Sequence, residues 1–487
     1  MARRRRDPSK GLIGGRYRPL SDGQIQRIHE AALSILERTG VQVEEAEALR
    51  LFEHAGAVVD RGGSRVRIPR ALVEDAVDRA PSRVILAGRD PRWDLDLEGA
   101  RVHIGTGGAA LNVLEMDTGL PRPAVLRDVA ELARLVDGLD NIHFYLVPVY
   151  PTDMGRDEVD VNTYYAGLAN TTKHVQAGVY SVQGIRDTVE MCERIAGGAE
   201  ALRERPIVSF ITCWLVSPLK LATDVTALMI ETCRQRIPVV LSAAPMAGST
   251  APVTLAGMLA QLTAEQLSGV VLAQLAQPGA PLLIGPIPAT ADMQSGRYLA
   301  GAAEFGLTNA AMAQMAQFYR LPLYNSAGMT DAKIPDVQAG FEKAMSAVLA
   351  ATAGSNFIHH AAGMLENMSA VAAEQFVIDN DILGMAMRVV AGIEVNDETL
   401  ALDVIDEVGP GGHFLMSEHT IRHMRSEFYY PSAVVDRRGW DMWQQDGARG
   451  ARERAMEIAR DILASHRPQP LDSAVDDWIR KRFELRI

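Results

Sequence analysis

Three cysteines in 487 residues, Cys192, Cys213 and Cys233, are too few and too widely spaced for a disulfide framework or a Cys-x-x-Cys metal knuckle. Burial in a reducing cytoplasm is the reading for all three. Long hydrophobic runs are also scarce: the longest mainly apolar stretches, such as 207–216, fall well short of the roughly 20 residues that cross a bilayer. A soluble chain with no membrane partner is expected. Arg3, Arg4, Arg5 and Arg6 have no apolar stretch behind them, so the start is no secretory signal; residues 1–20 read as a basic, flexible tail. Positive charge is in deficit, 49 Lys and Arg against 61 Asp and Glu for a net −12, which argues against nucleic acid as a partner. Neither a G-x-G-x-x-G nor a G-x-x-x-x-G-K-[ST] turn follows a strand pattern. The nearest Gly-rich turn, Gly105-Thr106-Gly107-Gly108, reads as close backbone packing. Aromatics are sparse at 6%, so where they fall carries information.

What is present is the composition of an ordinary globular protein, 47% hydrophobic and 23% charged. Residues 21–55 read as two amphipathic helices, with Ser21 and Asp22 as cap candidates and Ile25, Ile28, Ala32 and Ile35 on one face. Short segments at 66–68 and 84–87 complete an N-terminal helical elaboration over 21–100. From residue 101 the pattern becomes α/β. Strand patterns fall at 102–105, 144–149, 174–179, 207–214, 238–243, 281–286, 322–326 and 356–360. Helical patterns fall between and after them, near 124–138, 157–169, 182–197, 219–235, 253–277, 299–319, 335–353 and 368–392. Eight strands each followed by a helix are the signature of a (β/α)8 TIM barrel spanning 101–392, although the count alone leaves an open doubly wound sheet possible. Residues 393–487 read as a polar helical C-terminal segment with a turn at Gly409-Pro410-Gly411-Gly412.

In a barrel the chemistry gathers where strands end. The candidates there are Tyr150, Tyr180, Trp214 and Met246, then Asn325, Asp331 and Lys333, and finally His359 and His360. Ring faces with nearby Met suit a quaternary or methylated ammonium, because the ring quadrupole attracts a cation that has no N–H to satisfy. Packing between barrel and helices is the plainer reading of the same rings. Neighbouring residues on a strand face opposite ways, so only one of His359 and His360 is expected to enter the barrel, as a base, an anion holder or a ligand. His413, His419 and His423 form a second cluster, the last two at i and i+4. No Glu-x-x-His or Cys partner completes it, so no bound metal is expected.

Two long stretches converge on one family. The run Tyr324-Asn325-Ser326-Ala327-Gly328-Met329-Thr330-Asp331-Ala332-Lys333, continuing through Asp336 to Glu342 and Lys343, resembles the trimethylamine methyltransferase family. So does Gly409-Pro410-Gly411-Gly412-His413-Phe414-Leu415, followed by His419-Thr420, Arg425, Glu427 and Asp436-Arg437. The resemblance implies a TIM barrel that moves a methyl group from an amine to the cobalt of a corrinoid (cobalamin) carried by a separate partner protein. The founding members carry pyrrolysine, which this sequence lacks; the branch without it resembles glycine betaine methyltransferase and enzymes acting on related betaines. The corrinoid-ligating Asp-x-His-x-x-Gly motif of related systems is absent from the chain, which implies that the cofactor arrives on another protein. Cys192, Cys213 and Cys233 do not form the His-x-Cys pattern of zinc thiol methyltransferases.

The expected function is therefore a cytoplasmic, homo-oligomeric methyltransferase of one-carbon metabolism, from a family related to methanogenesis, acting on a quaternary amine. Its side chains would position the substrate without acid–base chemistry: Tyr150, Tyr180 and Trp214 for the cation, His360 and Asn325 for a carboxylate. Another methylamine substrate, a folate acceptor, or a non-catalytic betaine-binding barrel are the alternatives.

Overall fold

A computed structural model describes residues 10–60, 62 and 64–487, and Arg3 to Arg6 lie outside them. Eight parallel strands organise the chain: β1 (Arg101–Thr106), β2 (Tyr145–Leu146), β3 (Val175–Gly178), β4 (Val208–Thr212), β5 (Val239–Ala243), β6 (Leu282–Pro286), β7 (Tyr324–Ser326) and β8 (Phe357–Ala362). Each is followed by a helix: α1 (Leu126–Asp137), α2 (Val159–Asn170), α3 (Val182–Ala196), α4 (Thr223–Gln235), α5 (Leu255–Ala276), α6 (Ala303–Tyr319), α7 (Val337–Ala353) and α8 (Ala373–Ala391). All eight strand patterns and all eight helical patterns of the sequence overlap these elements.

The strands form two sheets, β2-β3-β4-β5-β6 and β1-β8-β7. They meet at two seams. At one, Ile284 and Leu323 make a parallel bridge and the Ile284 N–H donates to Pro322 O at 3.0 Å. At the other, the His143 N–H donates to Ile104 O at 2.7 Å, while the Ile104 N–H is taken by the His143 ring at 3.2 Å. A side chain thus replaces a ladder bond, and β2 is shorter than its apolar run suggests. Below that seam the free edge of β1 is covered by Leu12–Ile13, paired antiparallel with Val102 and Arg101. This corrects the reading of 1–20 as a tail over its described part, because residues 12 and 13 supply backbone bonds that β2 begins too late to make.

Phe144, Leu146, Val240, Leu283, Tyr324 and Phe357 meet in one cluster, from both sheets, with Val84, Leu86, Leu95 and Leu97. The last four belong to an antiparallel hairpin, Arg83–Leu86 with Leu95–Glu98. The N-terminal region is therefore not only helical. Its helices Asp22–Ser34, Ala46–His54 and Arg70–Arg79 supply Ile25, Ile28, Phe52 and Val73 to a second cluster that covers α5. That helix is apolar on every side and so needs covering on every side. Its mean hydropathy reaches 1.2 over a membrane-length window, a run longer than any singled out in the sequence, and 83% of that window is buried inside the protein.

Candidate functional site

The strand ends after β2 to β8 carry most of the polar chemistry. Tyr150 and Tyr180 are half-buried and meet edge to face, ring centres 5.4 Å apart at 79°. Tyr180 is fixed from behind by Asp160 of α2, whose carboxylate accepts the N–H groups of Tyr180 at 3.1 Å and Ser181 at 3.2 Å. Gly184 makes room for that carboxylate, since a Cβ there would lie 1.9 Å from Asp160 Oδ2. Burial pushes Asp160 up to about 6. Met246, after β5, packs with Ile211, Tyr298 and Met368 against the Phe144–Phe357 cluster. Tyr298 belongs to a hairpin after β6, Ala289–Ala291 with Tyr298–Leu299, and its buried hydroxyl has no hydrogen-bond partner among the described residues.

His359 and His360 both approach Ser326 Oγ, through His359 Nε2 at 2.9 Å and His360 Nδ1 at 3.0 Å. Strict alternation would have sent one of them away. It fails because His360 has φ +62° and the β8–β1 register shifts between Ile358 and Ala362. Gly107 accommodates the turn: a Cβ there would stand 2.2 Å from His360 Cα. A serine hydroxyl has one proton to give, so one ring accepts it and the other donates to the oxygen, which ties the two tautomers together. Burial holds His360 down at about 3 and His359 well below its ordinary value, so both rings are neutral. His359 also stacks on Tyr324, centres 3.6 Å apart.

Four sequence candidates are occupied elsewhere. Asn325 is fully buried facing α6, and its amide donates to Asn309 O and Ser355 Oγ, both at 2.8 Å. Period-2 alternation turns it outward while Tyr324 and Ser326 turn inward, so it has no donor left for a carboxylate. Trp214 is fully buried against Gly269 of α5, where a Cβ would lie 2.5 Å from the indole. The structure thus sets its ring in the layer behind β4 and not beside Tyr180. Asp331 accepts the N–H groups of Ala300 and Gly301 at 3.2 and 3.1 Å, holding the base of the Tyr298 hairpin. Lys333 is exposed and donates to Asp331 O at 2.7 Å.

The family model for trimethylamine methyltransferase (MTTB) matches residues 6–486. The chain belongs to this family. It is 38% identical over 474 residues to the trimethylamine methyltransferase MttB of Desulfitobacterium hafniense, covering 97% of this chain and 94% of that one. Against the trimethylamine methyltransferase MttB of Methanosarcina thermophila the identity is 36%, over 95% and 96% of the two chains. Against the glycine betaine methyltransferase of D. hafniense it is 33%, over 96% of each. The protein is a methyltransferase.

In this methyltransferase the long motif from 324 to 343 fastens the end of β7. Glu342 on α7 accepts the Asp331 N–H at 2.9 Å and the Thr330 hydroxyl. Lys343, fully buried, donates to Gly328 O and Met364 O and pairs with Asp379 of α8 at 3.2 Å. Sequence reasoning missed Asp160, Ser326, Tyr298 and Cys213. The last corrects the reading of all three cysteines as buried: Cys192 and Cys233 are, whereas Cys213, at the end of β4, is solvent-accessible. Its thiol is nonetheless raised by desolvation, against a side-chain hydrogen bond with Ser242 that lowers it. Of the second histidine cluster, His413 stands apart and exposed, while His419 and His423 meet Glu398.

Proposed function

We propose that this methyltransferase takes a methyl group from a quaternary ammonium, glycine betaine or a related betaine, and delivers it to the cobalt of a corrinoid carried by a partner protein. The observation that carries the reading is the edge-to-face pair of Tyr150 and Tyr180 at the ends of β2 and β3; Met246, Met368 and Tyr298, packed on the interior cluster, and the neutral imidazoles of β8 support it. The absence of pyrrolysine from the sequence and the likeness to a named glycine betaine methyltransferase support it.

Displacement at a methyl on quaternary nitrogen releases a neutral tertiary amine, so the chain has no proton to supply. Its work is positioning and exclusion of water. Rings and thioethers hold the cation without the strong ground-state stabilisation that a carboxylate contact would give to a charge lost during transfer. We assign the cation to Tyr150, Tyr180 and Met246, and the betaine carboxylate to His360 and the unpartnered Tyr298 hydroxyl. When docked, the partner's corrinoid would supply a Co(I) nucleophile, and His359 and His360, held neutral by burial, would have no acidic proton to donate to it. Ser326 orients His360, and Asp160 orients Tyr180.

We further propose that the two sheets close into one (β/α)8 barrel over 101–392, for which the two seam contacts and the shared interior cluster are the support. Residues 21–100 and 393–487 flank it, and the protein works in the cytoplasm as a homo-oligomer. Exposed Ile393, Val395, Leu415, Met416 and Trp440 support assembly, because so many exposed apolar side chains are unfavourable in water. The test is proton NMR of glycine betaine incubated with the protein and reduced cobalamin. Dimethylglycine is expected; a betaine that binds and stays intact would make the chain a binding protein instead.

A further inference from the structure

Within 393–445 the helices Leu402–Val408, Glu418–Glu427 and Trp440–Gln445 contain no buried residue. Apolar packing within the chain therefore does not explain what holds Glu418–Glu427 against the turn that precedes it. The contacts that do so are polar and concentrated. His419 and His423, one helical turn apart, bring their rings to 4.4 Å. Glu398, on the short helix Asp397–Leu400, reaches His423 Nε2 with Oε1 at 3.0 Å, and its backbone carbonyl lies 3.1 Å from His419 Nε2. One ligand atom from each of the three residues lies within 4.8 Å of the other two.

We infer that Glu398, His419 and His423 form a binding site for a divalent transition ion of the zinc type. Two imidazoles and one carboxylate leave a fourth position for water, a donor set that suits zinc and its neighbours better than magnesium or calcium. Ligand atoms about 2.0 Å from a tetrahedral zinc stand roughly 3.3 Å from one another. The Glu398–His423 separation is already at that edge, so only His419 has to turn from the carbonyl toward the carboxylate. An ion pair would not need two histidines, because Arg422 already meets Glu398 Oε1 at 3.3 Å. The ion and Arg422 compete for the same oxygen. Bound, the ion would join Glu398 to a helix whose His419 lies 21 residues along the chain, closing the loop that contains Gly409-Pro410-Gly411-Gly412. This departs from the expectation of no metal, since the third ligand lies outside any local spacing pattern.

The test is zinc titration of the tag-free, chelator-stripped full chain, with a chromophoric chelator as competitor. One zinc per chain is expected. His419→Ala, His423→Ala and Glu398→Gln should each weaken binding by about tenfold or more, and Arg422→Gln should tighten it severalfold by removing the competitor. Zinc-edge absorption on the wild-type protein should report nitrogen and oxygen neighbours including two imidazoles, which keeps the test valid if a variant misfolds. Binding unchanged by the histidine substitutions, a shell without imidazole, or weaker binding in Arg422→Gln would overturn the site.

Discussion

Tyr180 joins the substrate reading to the geometry, because its ring faces Tyr150 while its backbone is clamped by Asp160. Tyr180→Ala should raise KM for a quaternary amine by about tenfold, the scale of a desolvated cation–π contact, while Tyr180→Phe keeps most of the affinity; steady-state kinetics of the two variants separates ring from hydroxyl. Ser326→Ala strands His359 Nε2 and His360 Nδ1 at once. We expect a loss of about 2–3 kcal/mol in urea unfolding, together with lower activity, as the tie between the two tautomers disappears. Strand ends were legible from the sequence and directed attention to Tyr150, Tyr180, Met246 and His360. What was not legible is which way a side chain turns. Asn325 and Trp214 sit at strand ends yet face the helices, and His360 enters only through a positive φ that Gly107 permits. Such a bulge leaves no mark in hydrophobic periodicity.

Among the elements, the eight strand–helix repeats follow from alternating apolar periods. The hairpin at 83–98 was hidden because its strands are four residues each and a turn carrying Pro91 and Trp93 separates them. The motif run from Tyr324 to Lys343 proves to be a fastening device: α7 holds the loop after β7 through Glu342, and α8 is joined to it through the buried Lys343–Asp379 pair. Removing one partner of such a pair leaves a charge uncompensated. Lys343→Met should therefore cost roughly 3–5 kcal/mol, and the double variant Lys343→Met, Asp379→Leu should recover much of it, as read by chemical denaturation. A double variant that loses the sum of the two single losses would mean that the pair contributes little.

Across the whole molecule, buried neutral histidines set the acid limit of stability. His103 and His174 are held at about 4, His143 and His360 at about 3, and His359 well below its ordinary value, all by burial. From pH 6.5 downward the unfolded chain binds these protons and the folded chain does not, so stability present above 6.5 is lost as pH falls, by about 1.4 kcal/mol per unit for each histidine. Asp160, raised to about 6, and Glu265 and Asp379, also raised, act in the opposite direction, because the folded chain binds those protons more tightly than the unfolded one. The five histidines outnumber these carboxyls, so net stability falls as the pH drops below 6.5. Thermal melts between pH 7 and 4.5 should show Tm falling steeply below 6.5, and a flat Tm across that range would contradict the burial of these rings.

The claim that joins all three scales is that this site accepts a quaternary ammonium. It is tested most directly by mixing the protein with reduced cobalamin and glycine betaine, proline betaine, carnitine, butyrobetaine or trimethylamine in turn, and following the cob(I)alamin absorption band. We expect the band to decay with at least one quaternary amine and to persist with trimethylamine; decay with trimethylamine alone would overturn the assignment of a quaternary ammonium to this site.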